Sequence, residues 1–280
     1  MNRDWTESYL GIYREPAGDL RGSLGDHAEA HLKWRVLNGE FVSGEKIREA
    51  TLAKELGISR ATIREATRRL AGEGLVEIDA QRGVFVRTYT LEQIEDIADI
   101  RRVLCSLTAS SFIARATPAD RDRISVLFDR LEAAESRPFE PSDYVLGLLF
   151  NEAVVRAANN ERLFTLYHEG WQQMRIFKLF LRRHVFGAVD VRTHNHTMFT
   201  QGALHRHALY LAIISGSEDQ IADAMRRAAD HSLARAKEQF ADYLDATHST
   251  WRERIVSTQN PSSNPTGRRL QGNEKGRNET

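Results

Sequence analysis

Residues 48–87 read REATLAKELGISRATIREATRRLAGEGLVEIDAQRGVFVR, and the way this stretch is punctuated decides the fold. Leu52, Ala53 and Leu56 fall on one face of a short helix. Gly57 supplies a tight turn, and Ser59 is placed to N-cap a second helix running through Ile63, Ala66, Thr67 and Leu70. Gly72 and Gly74 stop that helix. Two short alternating runs follow, Leu75–Ile78 and Val84–Val86, joined by the polar tip Asp79–Gly83 as a hairpin. Helix, turn, helix and β-ribbon in this order make a winged helix-turn-helix, whose second helix is expected in a DNA major groove.

The side chains suit that geometry. The second helix carries Arg60, Arg64, Arg68 and Arg69 against Glu65 alone. Arg60 and Arg64 are four apart and share a face, while Ala61 and Thr62 are small enough for close approach. A guanidinium fork matches paired acceptors, both phosphate oxygens and the O6/N7 edge of guanine. Arg82, beside Gly83 at the wing tip, is placed to enter a minor groove or hold phosphate. A row of arginines alone is an ordinary solvated helix face. Turn, cap and wing in register are what turn the reading toward DNA.

The chain has 280 residues, 41% of them hydrophobic, enough for two modest cores. Its formal net charge is zero, so a nucleic-acid footprint has to be a local patch. Cys105 is its one cysteine, which excludes an internal disulfide and fits a reducing compartment. No CxxC or HExxH pattern occurs. The first residues lack the apolar run of a secretory leader, and no stretch approaches the ~20 apolar residues of a membrane span. A soluble cytoplasmic protein with no membrane partner is the expectation.

Residues 1–23 read as a flexible arm, and Leu24 to Leu37 as an amphipathic helix behind the helix-turn-helix, stopped by Asn38-Gly39. Phe41 to Ile47 reads as a connector. The winged domain then spans 24–88, with Thr90 capping the next helix. From 89 to 248 the pattern is almost wholly helical, with candidate helices at 91–116, 118–136, 141–158, 160–185, 194–215 and 217–247. Gly187 to Val191 reads as a break. The expected fold is mostly α: an N-terminal winged helix-turn-helix followed by an antiparallel all-α helical-bundle ligand-binding domain. Residues 257–280, polar and without apolar periodicity, read as a disordered tail.

Leu32 to Arg87 resembles the DNA-binding domain of the GntR family of bacterial transcription regulators. The shared pieces are Ile47-Arg48-Glu49, Leu52 through Arg60, Ile63-Arg64-Glu65-Ala66, Gly74-Leu75-Val76 and Arg82 through Val86. The resemblance implies DNA contacts from Arg48, Arg60, Thr62, Arg64 and Arg82, with Ser59 and Gly83 beside them. The helical region is similar to the FCD domain of the FadR-like branch. That likeness rests on Ile100 to Leu104, Ala116-Thr117-Pro118, Phe150 to Val154 with Ala158-Asn159-Asn160, and Ala212 through Gly216 to Met225. It implies a homodimer, a palindromic duplex DNA operator, a repressor's role, and a small organic acid or acyl thioester as effector, with a metal held in many members through an Asp-x3-His pair and two further histidines.

This chain departs from that ligand set. The four positions read Gly147, Asn151, Arg206 and Ala228, so no metal cofactor is expected. A rebuilt site from His205, His207 and His231 is the alternative. Arg206 shares a helical face with Leu209, Tyr210 and Ile213, and a buried arginine needs an anion, either an internal carboxylate or the effector's. The effector residues expected are therefore Arg206 and Asn151, with Gly147 either leaving room for a ligand or allowing close helix packing. Arg101 and Arg175 join them by helix position. An enzyme acting on a small acid is a further alternative. No nucleophile–base spacing supports it, and Cys105 lies on an apolar helical face.

Overall fold

The computed structural model describes residues 23–186 and 191–259. Ser23 opens the first helix rather than belonging to an arm. Its hydroxyl accepts from the Asp26 amide at 3.2 Å while the Asp26 carboxylate accepts from the Ser23 amide at 2.9 Å, a capping box. The rest of the expected arm lies outside the described residues. Helix α1 (Leu24–Leu37) packs on α3 (Arg60–Gly72), which follows α2 (Glu49–Glu55) across the turn at Gly57. Gly57 and Gly74 have φ of +66° and +76°, which side chains other than glycine's resist. The core of this domain is apolar and closed: Leu32, Leu37, Ile63, Leu70 and Leu75 are fully buried.

The wing is a three-stranded antiparallel sheet of order β1-β3-β2, built from β1 (Lys46–Ile47), β2 (Val76–Asp79) and β3 (Gly83–Val86). Val76 pairs with Val86, and Asp79 with Gly83 across the tip. The connector reading of Phe41 to Ile47 is corrected at its end, where Lys46 and Ile47 pair with Phe85 and Val84. Two residues are too short for a periodicity to declare itself, and the β3 edge supplies what local sequence does not.

Six helices make the second domain: α4 (Leu91–Arg115), α5 (Pro118–Glu135), α6 (Pro141–Ala157), α7 (Glu161–Phe186), α8 (Val191–Ser215) and α9 (Glu218–Gln259). Thr90 and Thr117 head α4 and α5 with capping boxes, and Pro118 and Pro141 occupy first-turn positions where a missing amide costs nothing. Helix α9 runs past 248 and takes Ser257 to Gln259 out of the expected tail. No glycine or proline interrupts it between Glu218 and Gln259, and Pro261 is the first breaker beyond. Of the break read at Gly187 to Val191, residues 187–190 lie outside the described residues, as do 260–280, while Val191 belongs to α8.

The two domains share one contiguous apolar core. Val36, Gly39 and Phe41 meet Ile176, Leu179 and Phe180 of α7. Polar ties reinforce the seam: Tyr89 Oη donates to Gly74 O at 2.5 Å, and Gln173 Nε2 donates to Glu73 O at 3.1 Å.

Candidate DNA interface and effector cavity

Ser59 accepts from the Thr62 amide at 3.1 Å, so the start of α3 is capped, and its hydroxyl also meets Thr62 Oγ1 at 2.8 Å. Both sequence-predicted hydroxyls thus first serve the helix. Arg48, Arg60 and Arg64 are exposed, with Arg64 65% exposed and only loosely paired to Glu49 at 3.4 Å. Arg69 behaves differently. It donates to Asp26 and Glu29 of α1 at 3.0 and 3.1 Å, which clamps α3 onto α1 and takes this arginine out of the cationic face.

At the wing tip Arg82 Nε donates to Asp79 Oδ2 at 2.6 Å, and its guanidinium lies 5.4 Å from the Phe85 ring centre. That hydrogen bond and two backbone amides hold the Asp79 carboxyl down at about 2. Gly83 has φ +101° and sits against Lys46, whose Nζ is 5.8 Å from the same ring. Lys46 is therefore a second cation of the wing. It was missed in the sequence because only the β1 pairing brings it there.

A cavity of about 180 Å³ lies between α6, α7, α8 and α9. Gly147, Asn151, Arg175 and Arg206 line it, as does Ala228. Arg101 does not join them. It is buried on α4 with its guanidinium 5.5 Å from the Tyr167 ring centre, and its stem packs on Gly170. Arg206 threads between two glycines: a Cβ at Gly147 would come within 3.4 Å of Nη1, and one at Gly202 within 2.6 Å. The Arg206 guanidinium thus occupies the space beside Gly147, at the cavity wall. Arg206 Nη2 donates to Glu135 Oε1 at 2.8 Å and to Phe199 O at 2.9 Å, while Nε is buried with no partner. Asn151 donates back to Gly147 O at 3.0 Å.

The cavity's electrostatics are one-sided. Arg175, Lys178, Arg206 and Arg235 line it together with His194, His205 and His231, and no Asp or Glu is among its described lining residues. Burial, then neighbouring cations and imidazoles, push all three histidines below their ordinary range, so they are neutral near pH 7. Burial and the surrounding arginines bring Lys178 down to about 7. Besides Arg206 Nε, the buried atoms Arg235 Nε, His194 Nδ1 and Gln201 Oε1 lack hydrogen-bond partners.

Residues 24–86 match the family described as bacterial regulatory proteins, gntR family, and residues 96–231 match the FCD domain. The chain is 33% identical over 139 residues to the HTH-type transcriptional regulator YdhC of Bacillus subtilis, covering 48% of this chain and 61% of that protein. It is 30% identical over 149 residues to the Nta operon transcriptional regulator of Aminobacter aminovorans, covering 49% of this chain and 70% of that one. The chain belongs to the GntR family. A gluconate operon transcriptional repressor of Bacillus licheniformis is 26% identical over 168 residues, 58% of this chain and 67% of its own length. The fold of this GntR protein matches that of E. coli McbR/YncC with a TM-score of 0.61 at 20% identity, over 78% of this chain and 99% of that one. These relatives are transcriptional regulators, not enzymes. Burial raises the Cys105 thiol to about 11, which leaves it a packed side chain rather than a nucleophile.

The residues of this GntR-family chain do not fit the metal that FCD domains can hold. His205 and His231 have ring centres 4.8 Å apart, but His207 faces elsewhere, edge-on to Phe128 at 4.8 Å with Nδ1 against Ala203 O. The alternative trio is therefore split, because 205 and 207 point to different sides of α8. A guanidinium beside the remaining pair repels a cation, and among the described residues no three His, Cys, Asp or Glu side chains converge. Lys178 and Arg235, unforeseen in the sequence, take their place in the cavity instead.

Proposed function

We propose that this chain is a homodimeric transcriptional repressor of the bacterial cytoplasm that binds a palindromic operator and is controlled by a small carboxylate-bearing effector in the α6–α9 cavity. The observation that carries the effector reading is the set of buried polar atoms left without partners around a cavity lined by four Lys and Arg side chains. Such atoms cost free energy unless something satisfies them, and a carboxylate accepts from N–H donors such as Arg206 Nε and Arg235 Nε at once. About 180 Å³ suits a small organic acid. The repressor's role takes support from the gluconate repressor's likeness.

For DNA, the capped α3 with exposed Arg60 and Arg64, flanked by Arg48 and the wing's Arg82, supports major-groove docking. For the dimer, Ile100, Val103 and Leu107 on α4 and Leu204, Leu211 and Ile214 on α8 are exposed apolar side chains that a second copy would cover.

The test is selection of genomic fragments by the purified protein, followed by anisotropy titration of the selected duplex with and without a panel of organic acids. Preference for one inverted repeat, bound by two chains and weakened by an acid that also raises the melting temperature, is expected. Equal affinity for random duplex, or indifference to every acid, overturns the corresponding half of the reading.

A further inference from the structure

The cavity holds a primary amine in a setting unlike that of the other described lysines. Lys33 pairs with Glu73 at 2.6 Å, Lys237 pairs with Glu95 at 2.5 Å, and Lys46 and Lys54 are exposed. Lys178 is 6% exposed, and its Nζ donates to a neutral partner, Ser232 Oγ, at 2.8 Å. The charged and titratable groups acting on it come from each neighbouring helix: Arg101 of α4, Arg175 of its own α7, His194 of α8, and His231 and Arg235 of α9. Each of these is cationic or neutral, with Arg235 Nη1 donating to Glu238 Oε2 at 2.6 Å, and no carboxylate is among the described residues that line the cavity to hold an ammonium. Dry surroundings and like charges disfavour the protonated form, so much of Lys178 is free amine at neutral pH. A buried amine desolvated among cations, facing a cavity, is the arrangement that makes a lysine add to carbonyl compounds.

We infer that the cavity captures a small oxo acid covalently, Lys178 Nζ adding to its carbonyl carbon while the guanidinium groups of Arg206 and Arg235 hold its carboxylate. The inference rests on the anionic-effector reading and narrows it to acids that carry an aldehyde or ketone. The amine lone pair forms the C–N bond, and the carbonyl π pair moves to oxygen. One proton passes from nitrogen to that oxygen, with Ser232 Oγ placed to relay it, and gives a carbinolamine. Its C–O bond then breaks, the oxygen leaves as water with the second N–H proton, and an imine remains. Amine and carbonyl become imine and water, with no oxidant or reductant consumed. The step reverses when the free acid is diluted, as a sensor requires.

Full-length protein is incubated with pyruvate and sodium cyanoborohydride at neutral pH, and intact mass and peptide maps are read. One reduced adduct per chain is expected, located on Lys178 ahead of the exposed Lys46 and Lys54, and absent from Lys178→Met. Labelling of the unmutated protein should rise through neutral pH, whereas a rise confined to strongly alkaline pH overturns the proposal and needs no variant to show it. Lactate, which has the carboxylate but no carbonyl, separates the two readings. If pyruvate and lactate both raise the melting temperature and no adduct forms, covalent capture is overturned and the acid site stands. If neither acid raises it and no adduct forms, both readings are overturned for acids of this size.

Discussion

Arg175 joins the cavity to the winged domain: its Nε donates to the main-chain oxygen of Leu37, the last residue of α1, at 2.7 Å. The same guanidinium donates from Nη1 to Tyr144 Oη at 2.6 Å and from Nη2 to Asn195 Oδ1 at 3.2 Å. One planar group thus ties α6, α7 and α8 to the C-terminus of α1, where helix carbonyls lack partners of their own and a cation is favoured. The side chain also lines the cavity, so the proposed carboxylate effector would compete for it with Leu37. Helix α1 packs on α3, so a shift at Leu37 would reach the helix proposed to face DNA.

Arg175→Lys keeps the charge but replaces three separate donor nitrogens in a planar fork with one, which cannot reach Leu37, Tyr144 and Asn195 together. It should still fold and bind operator, while the ratio of operator affinities with and without effector falls toward one. Coupling between two sites is typically worth about 5–150-fold, which leaves a wide range for the loss to be read. Anisotropy titrations at fixed salt measure it. An unchanged ratio would assign the coupling to another contact of the seam.

The arginines of α3 should separate into two classes. Arg60→Ala and Arg64→Ala remove exposed guanidinium groups and should each cost about 1–3 kcal/mol of operator binding, with little change in melting temperature. Arg69→Ala breaks the tie to Asp26 and Glu29 and should lower thermal stability more than it weakens DNA binding. Salt titration of operator affinity supplies the control, since only loss of a phosphate contact makes the salt slope shallower. The reverse ranking would place Arg69 on the DNA.

The winged domain was legible because its signals are local. Gly57, Ser59 and Gly74 each act within a few residues, and the apolar period of α3 sits between two of them. What stayed hidden depends on partners far along the chain. Lys46 reaches the wing through a two-residue pairing, Arg69 finds its acids some forty residues upstream, and Arg206 meets Glu135 only where α5 and α8 close together. The four positions Gly147, Asn151, Arg206 and Ala228, far apart in the chain, all line one cavity. Arg175 and Lys178, three apart on α7 and flanked by the buried Met174 and Leu181, were a readable sign of a polar pocket in an apolar face.

Gly74 tests how tightly the domains are seated. Its φ of +76° disfavours a side chain, and a Cβ there would lie 2.7 Å from both Tyr89 Oη and Gln173 Nε2. Gly74→Ala should destabilise the protein by more than the ~1 kcal/mol set by backbone preference alone, because the Tyr89 and Gln173 ties across the seam must also give way. Urea denaturation gives the size of the effect. Tyr89→Phe in the Gly74→Ala background removes the hydroxyl that a Cβ would strike and should recover part of the loss; no recovery would leave the φ strain and the Gln173 contact as the cause.

Lys178 makes stability depend on pH in a direction that can be worked out. Its value is 10.5 in an ordinary setting and about 7 in the folded chain, so between those pH values the unfolded chain holds a proton that the folded chain lacks. Stability then rises with pH across that window, and below about 7, where both states are protonated, the full cost of burying the charge is present. Lys178→Met removes the titrating group and fills similar volume with apolar atoms. The variant should melt above the parent at pH 7, with the gap closing as pH approaches 10. Melting curves at pH 7, 8.5 and 10 decide the matter: a constant gap would mean that Lys178 keeps its proton in the folded chain, and a parent that melts higher throughout would mean that the Ser232 hydrogen bond outweighs the cost of burying the amine.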